Sequence, residues 1–269
     1  PIAHVHGGEL TEGAVDDSIR HAITKLANIH FVSAEPYRHR VIQLGEQPEY
    51  VFTVGATSLD HLQHLKLLER EELEKSLDFS LGKCCFLTTY HSATLSNQSP
   101  DEGAKEWLQA LDYFPDAQII MTYPGADTQW GVIVDRIEAY GAAQPDRVLL
   151  VKSLGQLKYL SAMSCVNLVV GNSSSGLIEA PSFKVPTVNI GDRQKGRLRA
   201  DSIIDCEKNA NSIRQAIQKA LSDDFKNSLI NMTNPYGEGN TTKKIIAQLR
   251  QVNLNHLKRK FFYDLTNGA

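Results

Sequence analysis

Long apolar runs are missing from this chain. No stretch of its 269 residues approaches the about 18 consecutive apolar positions of a bilayer-crossing helix, and no basic-then-apolar signal region opens it. Metal-ligand spacing is missing too. The four cysteines, Cys84, Cys85, Cys165 and Cys206, form no CxxC or Cys/His pattern, and the first two are adjacent inside an apolar run. Buried, reduced thiols in a cytoplasmic protein are the expectation. A charge excess is nearly absent: the formal net charge is −3, which calls for neither nucleic acid nor an acidic membrane as partner. Neither a Walker A loop nor a GxGxxG dinucleotide turn occurs, and no solenoid repeat or low-complexity tract appears. An initiator methionine is also lacking. The chain opens at Pro1 directly in a strand-like run, Ile2-Ala3-His4-Val5-His6, where a charged amine is hard to place, so it reads as part of a longer chain.

What is present is an ordinary globular mix, 42% hydrophobic and 22% charged, arranged in alternation. After the opening strand, Asp16-Asp17-Ser18 supplies helix-start chemistry for a helix whose Ile19, Ala22, Ile23 and Leu26 recur at helical spacing. A strand from Ile29 to Ser33, a helix containing Tyr37 to Leu44 and a strand from Val51 to Val54 follow. The pattern then restarts. A helix is expected over Leu59 to Lys75, a strand at Cys84–Tyr90, a helix at Glu106–Tyr113 and a strand at Gln118–Thr122. Next come a helix at Gly131–Tyr140, a strand at Val148–Val151 and a helix at Leu157–Cys165. The strand Leu168–Val170 feeds a helix running through Ala180. Short strands at Thr187–Ile190 and Ser202–Asp205, and helices near Ser212–Leu221 and Thr242–Gln251, complete the order. Near-continuous apolar strands alternating with helices predict parallel sheets covered on both faces. The amphipathic tail Asn253–Ala269 is expected as a terminal helix packing on a neighbour.

Several segments could carry chemistry. Gly171-Asn172-Ser173-Ser174-Ser175-Gly176 follows an apolar strand and opens a helix. Its N–H groups and hydroxyls suit a phosphate or diphosphate, although a tight packing turn reads equally well. Glu179, farther along, could accept from ribose hydroxyls or simply favour a helix start. The glycine-flanked cations of Gly191-Asp192-Arg193-Gln194-Lys195-Gly196-Arg197 suit a diphosphate or a solvated loop. His91 ends a strand and could serve as an acid, a phosphate contact or a structural group. His4, His6 and Glu9 lack a further ligand, so no metal and no cofactor is expected. Glu9, ending a strand, and Asp17, opening a helix, could converge as a carboxylate pair above a parallel sheet, or Asp17 could be a cap.

Taken together, these segments resemble the hydrolysing UDP-N-acetylglucosamine 2-epimerases of the sialic-acid and legionaminic-acid branch. The resemblance is carried by His4-Val5-His6-Gly7-Gly8-Glu9, by Asp16 to Lys25, by Arg40 to Glu46, by Gly171 to Pro181, by Asn189 to Arg197 and by Asn234 to Asn240. It implies two Rossmann-like domains facing each other across a cleft in the GT-B arrangement, the first incomplete here. The implied boundaries are 1–58 for the remainder of the first domain, 59–245 for a UDP-binding domain, and 246–269 for a helix and tail returning to the first. The resemblance further implies catalytic roles for Glu9, Asp17 and His91. It implies UDP contacts from Asn172, Ser173, Ser174, Gly176, Glu179 and Arg193. The partner would be a UDP-sugar, in a dimeric or tetrameric assembly. The implied reaction eliminates UDP to a 2-acetamidoglucal and hydrates it, turning UDP-N-acetylglucosamine into N-acetylmannosamine. UDP-N,N'-diacetylbacillosamine is the alternative substrate, and a UDP-binding remnant without catalysis or a glycosyltransferase are the other readings. Two departures stand out. The family's opening Gly-Ser-Arg-Ala-Glu-like loop and later Gly-Asp-Arg segment have no counterpart here, and Gly125 stands where relatives often carry Asn.

Overall fold

The computed structural model describes residues 1–12, 15–92 and 99–265, the Lys258 side chain excepted. The last four residues of the expected tail lie outside them. The chain forms two compact units. The first comprises Pro1–Thr11, Val15–His64 and the chain from Asn234 onward; the second takes in Glu12 and Leu65–Thr233.

In the first unit, β1 (Ala3–Val5), α1 (Asp16–Leu26), β2 (Ile29–Val32), α2 (Glu35–Gln43), β3 (Val51–Thr53) and α3 (Asp60–His64) follow in order. The sheet is parallel, ordered β1-β2-β3, with His4 opposite His30 and Phe31 opposite Phe52. All four residues of β2 are buried, as expected of a central strand covered on both faces. Helix α1 forms where helical spacing places it. Its apolar stripe faces outward, with Ile19 52% and Leu26 69% exposed, and Thr24 is its buried residue. The helix is fixed instead by polar bonds. The Thr24 hydroxyl meets His4 Nδ1 at 3.2 Å, and Lys25 donates to the buried Glu46 at 2.6 Å.

The second unit runs α4 (Arg70–Leu77), β4 (Cys85–Thr89), α5 (Pro100–Asp112), β5 (Gln118–Thr122), α6 (Trp130–Ala143), β6 (Val148–Val151) and α7 (Gly155–Cys165). It continues with β7 (Leu168–Gly171), α8 (Ser175–Ile178), β8 (Thr187–Ile190), β9 (Ile203–Cys206), α9 (Ala210–Leu221) and α10 (Asp223–Ser228). Its six parallel strands are ordered β6-β5-β4-β7-β8-β9. This is the doubly wound order, which reverses direction between β4 and β7. Alternation along β4 shows why. Phe86 joins Trp107, Ile119 and Val170 in one core, while Cys85 and Leu87 join Ile120 and Val169 in the other. The four cysteine thiols are free.

Three element expectations change. The helix expected at Leu59–Lys75 is two helices separated at Leu65–Glu69. Asp60 is held by the returning chain, and Glu69 opens α4 with a capping box to Glu72. Helix α5 starts before Glu106, because Ser99, just ahead of Pro100, forms a capping box with Glu102. The helix expected through Ala180 is one α-turn that gives way to a 3₁₀ turn, Ala180–Phe183; Pro181 lacks the N–H that would extend it.

The final helix, α11 (Thr241–Gln251), belongs to the first unit. Its first N–H groups, on Thr241 and Thr242, donate to the two carboxylate oxygens of Asp60 at 2.6 and 2.7 Å. Beyond it the described tail holds a 3₁₀ turn, His256–Lys258, rather than the expected terminal helix. The tail is pinned by side chains and backbone instead. Lys260 pairs with Glu46 at 2.7 Å, and the Tyr263 N–H donates to the Gly45 carbonyl. Phe262 covers Gly45, where any Cβ would collide with its ring.

Candidate functional site

Each unit gathers polar residues at the carboxyl ends of its strands, where open α/β sheets take ligands. In the first unit, Glu9 follows β1 through Gly7 and Gly8. Gly8 has φ +79°, and a Cβ there would lie 2.4 Å from the Tyr37 carbonyl oxygen, so only glycine lets the chain turn here. The turn brings Glu9 to 2% exposure. Its Oε1 accepts from the Ser33 hydroxyl, just past β2, and lies 2.8 Å from His6 Nδ1. Thr57, beyond β3, reaches the other nitrogen of the His6 ring. Three strand ends therefore converge on one carboxylate.

Asp17 lies on the first turn of α1 and accepts from the Thr11 N–H at 2.6 Å. Arg20 ties it to Glu9. One guanidinium nitrogen donates to the Glu9 carbonyl at 3.1 Å and to the Thr11 hydroxyl at 3.0 Å, and stands 3.6 Å from the Asp17 carboxylate. His21 also approaches Asp17, at 3.5 Å. The two carboxylates thus share one arginine-organised loop.

In the second unit, the direction-reversing gap between β4 and β7 is closed by Asn172. Its Oδ1 accepts from the His91 N–H at 2.7 Å, and its Nδ2 donates to the His91 carbonyl at 2.8 Å. The side chain thereby continues the strand ladder one step past Thr89 and Gly171. Gly171 (φ +144°) has no alternative residue, since a Cβ there would lie 1.9 Å from the Thr89 carbonyl oxygen. Arg193 and Gln194 both donate to the Asn172 carbonyl, at 3.2 and 2.9 Å, and Arg193 pairs with Asp127 at 3.3 Å.

This framework holds His91 as a neutral ring. The Gly125 N–H donates to its Nδ1 at 3.0 Å, so the ring proton is on Nε2. Burial, followed by the Arg193 charge, pushes its pKa down from 6.5 to about 4, with Asp127 opposing. Ser173, Ser174 and Ser175 open α8, where helix starts leave unsatisfied N–H donors. The Ser173 hydroxyl meets that of Ser175 at 3.2 Å, and Tyr159 meets Ser175 at 2.5 Å. Gly176 packs directly on β8, where a Cβ would lie 2.8 Å from a Thr187 methyl. Glu179 follows α8 as its C-cap, close enough for its charge to act on the partly buried Tyr159.

Beside these groups lies a cavity of about 420 Å³ bordered by His91, Thr122, Lys152, Gly155, Tyr159 and Ser173. A second cavity of about 440 Å³ in the first unit lies next to Asn28 and Tyr50, ahead of β2 and β3. It is at the amino ends of its strands, the side that α/β sheets do not use for ligands, and the first cavity is the stronger candidate. Sequence reasoning singled out Glu9, Asp17, His91 and the 171–176 turn. It named Gln194 within the Gly191–Arg197 loop without a role of its own, and it missed Ser33, Thr57, Arg20 and the Lys152–Gly155 loop. For the loop, a signal was available: Ser153 and Gly155 follow a strand directly, as turn residues do at ligand ends. Arg20 stands three residues after Asp17, a helical spacing that could have paired them, whereas the partners of Ser33, Thr57 and Gln194 are too distant along the chain to be paired by spacing.

Two parallel sheets with polar groups gathered at their strand ends, the six-stranded one in the doubly wound order, define an α/β protein of the nucleotide-fold type. The chain belongs to the UDP-N-acetylglucosamine 2-epimerase family, whose sequence profile matches residues 1–250. It is 42% identical over 266 residues to a GDP/UDP-N,N'-diacetylbacillosamine 2-epimerase (hydrolyzing) of Campylobacter jejuni, covering 98% of this chain and 69% of the relative. It is 34% identical to the UDP-N,N'-diacetylbacillosamine 2-epimerase (hydrolyzing) of Legionella pneumophila, covering 95% and 66%. The chain thus spans about two thirds of the length of these relatives. Among solved structures, the Staphylococcus aureus MnaA–UDP co-structure shares the fold with a TM-score of 0.78 at 17% identity, over 99% of this chain and 71% of that one.

Proposed function

We propose that this protein is a hydrolysing 2-epimerase whose substrate is N,N'-diacetylbacillosamine linked to a nucleoside diphosphate, UDP being the nucleotide that both bacillosamine-type relatives share. The observation that carries this reading is the 42% identity to the Campylobacter jejuni protein over 98% of the chain. Gly125 supports it. The nearest heavy atoms to a Cβ at that position are those of the His91 ring, at 3.6 and 3.8 Å. That is ordinary contact distance, so a side chain would fit against the His91 ring, and glycine here leaves out that side-chain volume, which suits a bulkier sugar.

The chemistry begins at a weakly acidic C2–H. A carboxylate removes that proton, the C1–O bond to the diphosphate breaks, and the electron pair forms the C1–C2 double bond as UDP departs. Water then adds across the double bond with a proton delivered to the other face of C2, giving the free 2-epimer. Glu9 and Asp17 are the carboxylates assigned to these transfers. Leaving-group charge is taken up in the second unit. His91 presents an Nε2–H, which suits donation to a phosphate oxygen better than proton abstraction. Ser173 and Ser174 add backbone donors, Gly176 lets their turn pack closely on β8 while its own N–H bonds the Ser173 carbonyl, and Arg193 adds a fixed cation. Asn172 acts by holding His91, and Glu179 is assigned to the ribose. The cavity beside Tyr159 and Lys152 is assigned to the uracil.

The second reading, UDP-N-acetylglucosamine as substrate, follows the family's own description. The test is to incubate the protein separately with each UDP-sugar and follow UDP by ³¹P NMR and the released sugar by ¹H NMR. Faster release of the 2-epimer from the bacillosamine derivative supports the first reading, and faster N-acetylmannosamine release favours the second. UDP binding with no turnover of either sugar sinks both and leaves a nucleotide-binding role.

A further inference from the structure

His6 is the residue that the reaction, as read above, does not use, yet three features single it out. Its Nδ1 lies 2.8 Å from Glu9 Oε1. Its Nε2 faces the backbone N–H of Thr57 at 3.3 Å and the Thr57 hydroxyl at 3.1 Å. A backbone N–H can only donate, so Nε2 of the neutral ring carries the lone pair and Nδ1 carries the proton aimed at Glu9. The third feature is the backbone. His6 has φ +65°, in the left-handed region that non-glycine residues seldom adopt. Its side chain is 29% exposed, so filling a core does not explain it.

We infer that His6 is a positioning residue for Glu9. With Ser33 it directs two donors onto the same carboxylate oxygen, which favours the ionised form and fixes the rotation of the carboxylate. The left-handed turn at His6 is what brings Nδ1 back toward a residue three positions ahead. Charged groups nearby hold its loop: Arg20 bonds the Glu9 carbonyl, Arg40 the Gly8 carbonyl, and Asp17 is linked through Arg20. His6 is the ring that reaches the carboxylate itself. The inference rests on the reading of Glu9 as a proton-transfer group, and the experiment separates the two.

Two substitutions divide structure from positioning. His6→Gly accepts φ +65° without strain and removes the donor. His6→Asn tolerates the same backbone and restores an N–H near the place of Nδ1. The expected result for His6→Gly is a folded protein with kcat lowered about 10- to 100-fold, KM changed little, and the acid limb of the kcat profile moved to higher pH. His6→Asn should recover most of the rate. The carboxyl ¹³C signal of Glu9, assigned by its loss in Glu9→Gln, should titrate at higher pH in His6→Gly than in the parent protein. That readout does not depend on turnover. An unmoved Glu9 titration overturns the inference, as does a wild-type kcat in His6→Gly or a failure of His6→Asn to recover more than His6→Gly. Turnover by Glu9→Gln would instead remove Glu9 from the chemistry, whatever the His6 variants do.

Discussion

Asn172 and His91 illustrate how one residue can matter through another. The Asn172 side chain is committed to the His91 backbone on both of its polar ends, so what it contributes to a ligand is the placement of a neutral imidazole. That placement predicts a specific pH behaviour. With its pKa pushed down to about 4, His91 remains neutral from pH 5 upward, and it should add no limb near pH 6.5 to the kcat/KM profile. His91→Ala should lower kcat about 100- to 1,000-fold by removing one donor to the leaving diphosphate. A limb near 6.5 that disappears in His91→Gln would show that the ring titrates during the reaction. The 171–176 turn makes a milder prediction. Ser174→Ala should weaken UDP binding about 5- to 10-fold, the loss of one hydrogen bond of about 1 kcal/mol. Calorimetry with UDP measures it, and unchanged affinity would take the Ser174 hydroxyl out of the site.

At the scale of elements, the helix start at Thr241 is secured by a carboxylate 181 residues earlier in the chain. Burial by itself would raise the Asp60 pKa, but bonds from Thr242 and Thr241 outweigh it and hold the group below the usual carboxylate range. Its stabilising contribution is therefore complete above the unfolded pKa and is lost as pH falls through the lower folded one. Asp60→Ala should cost about 2 kcal/mol, a lost cap plus two N–H groups deprived of partners. The urea midpoint should fall with an unchanged slope, and a midpoint unmoved by the substitution would show that water replaces the carboxylate freely. None of this pairing is visible in sequence, where Asp60 sits inside a run that reads as one long helix. What is legible is what local rules determine. The buried strands at Leu168–Val170 and Thr187–Ile190 announce themselves by continuous apolar residues, and the parallel two-faced sheets follow from alternation. Ser99-Pro100-Asp101-Glu102 also carries a helix-start signature, which apolar spacing alone overlooks. The outward stripe on α1 is the opposite case. Helical spacing says which residues share a face, but the direction of that face is decided by Thr24, Lys25 and their partners on other elements. In the same way Glu9 can be singled out from its strand-end position, while the donors from Ser33 and His6 on its carboxylate emerge only from the fold.

For the whole molecule, the clearest consequence is a loss of stability toward acid that is shared by both units. His30 in the first and His91 in the second are each pushed down to about 4, chiefly by burial. His30 is 1% exposed, and the Glu46 carboxylate that contacts it is itself tied to Lys25 and Lys260. A histidine whose folded pKa is lowered binds its proton more readily when unfolded. Between pH 6.5 and about 4 the unfolded chain therefore holds more protons, and stability declines as pH falls through that window. The full difference is worth about 3 kcal/mol for each histidine once the pH is below both values. Both effects have the same sign, so neither unit can compensate for the other. Urea denaturation between pH 7.5 and 5 should show the unfolding free energy falling, and His91→Gln should flatten that dependence for the second unit alone. Because the two histidines belong to separate compact units, His30→Gln should flatten it for the first without changing the second. If the dependence is the same in the parent protein and in both variants, the acid sensitivity arises elsewhere, and these rings take up a proton as readily in the folded protein as in the unfolded chain.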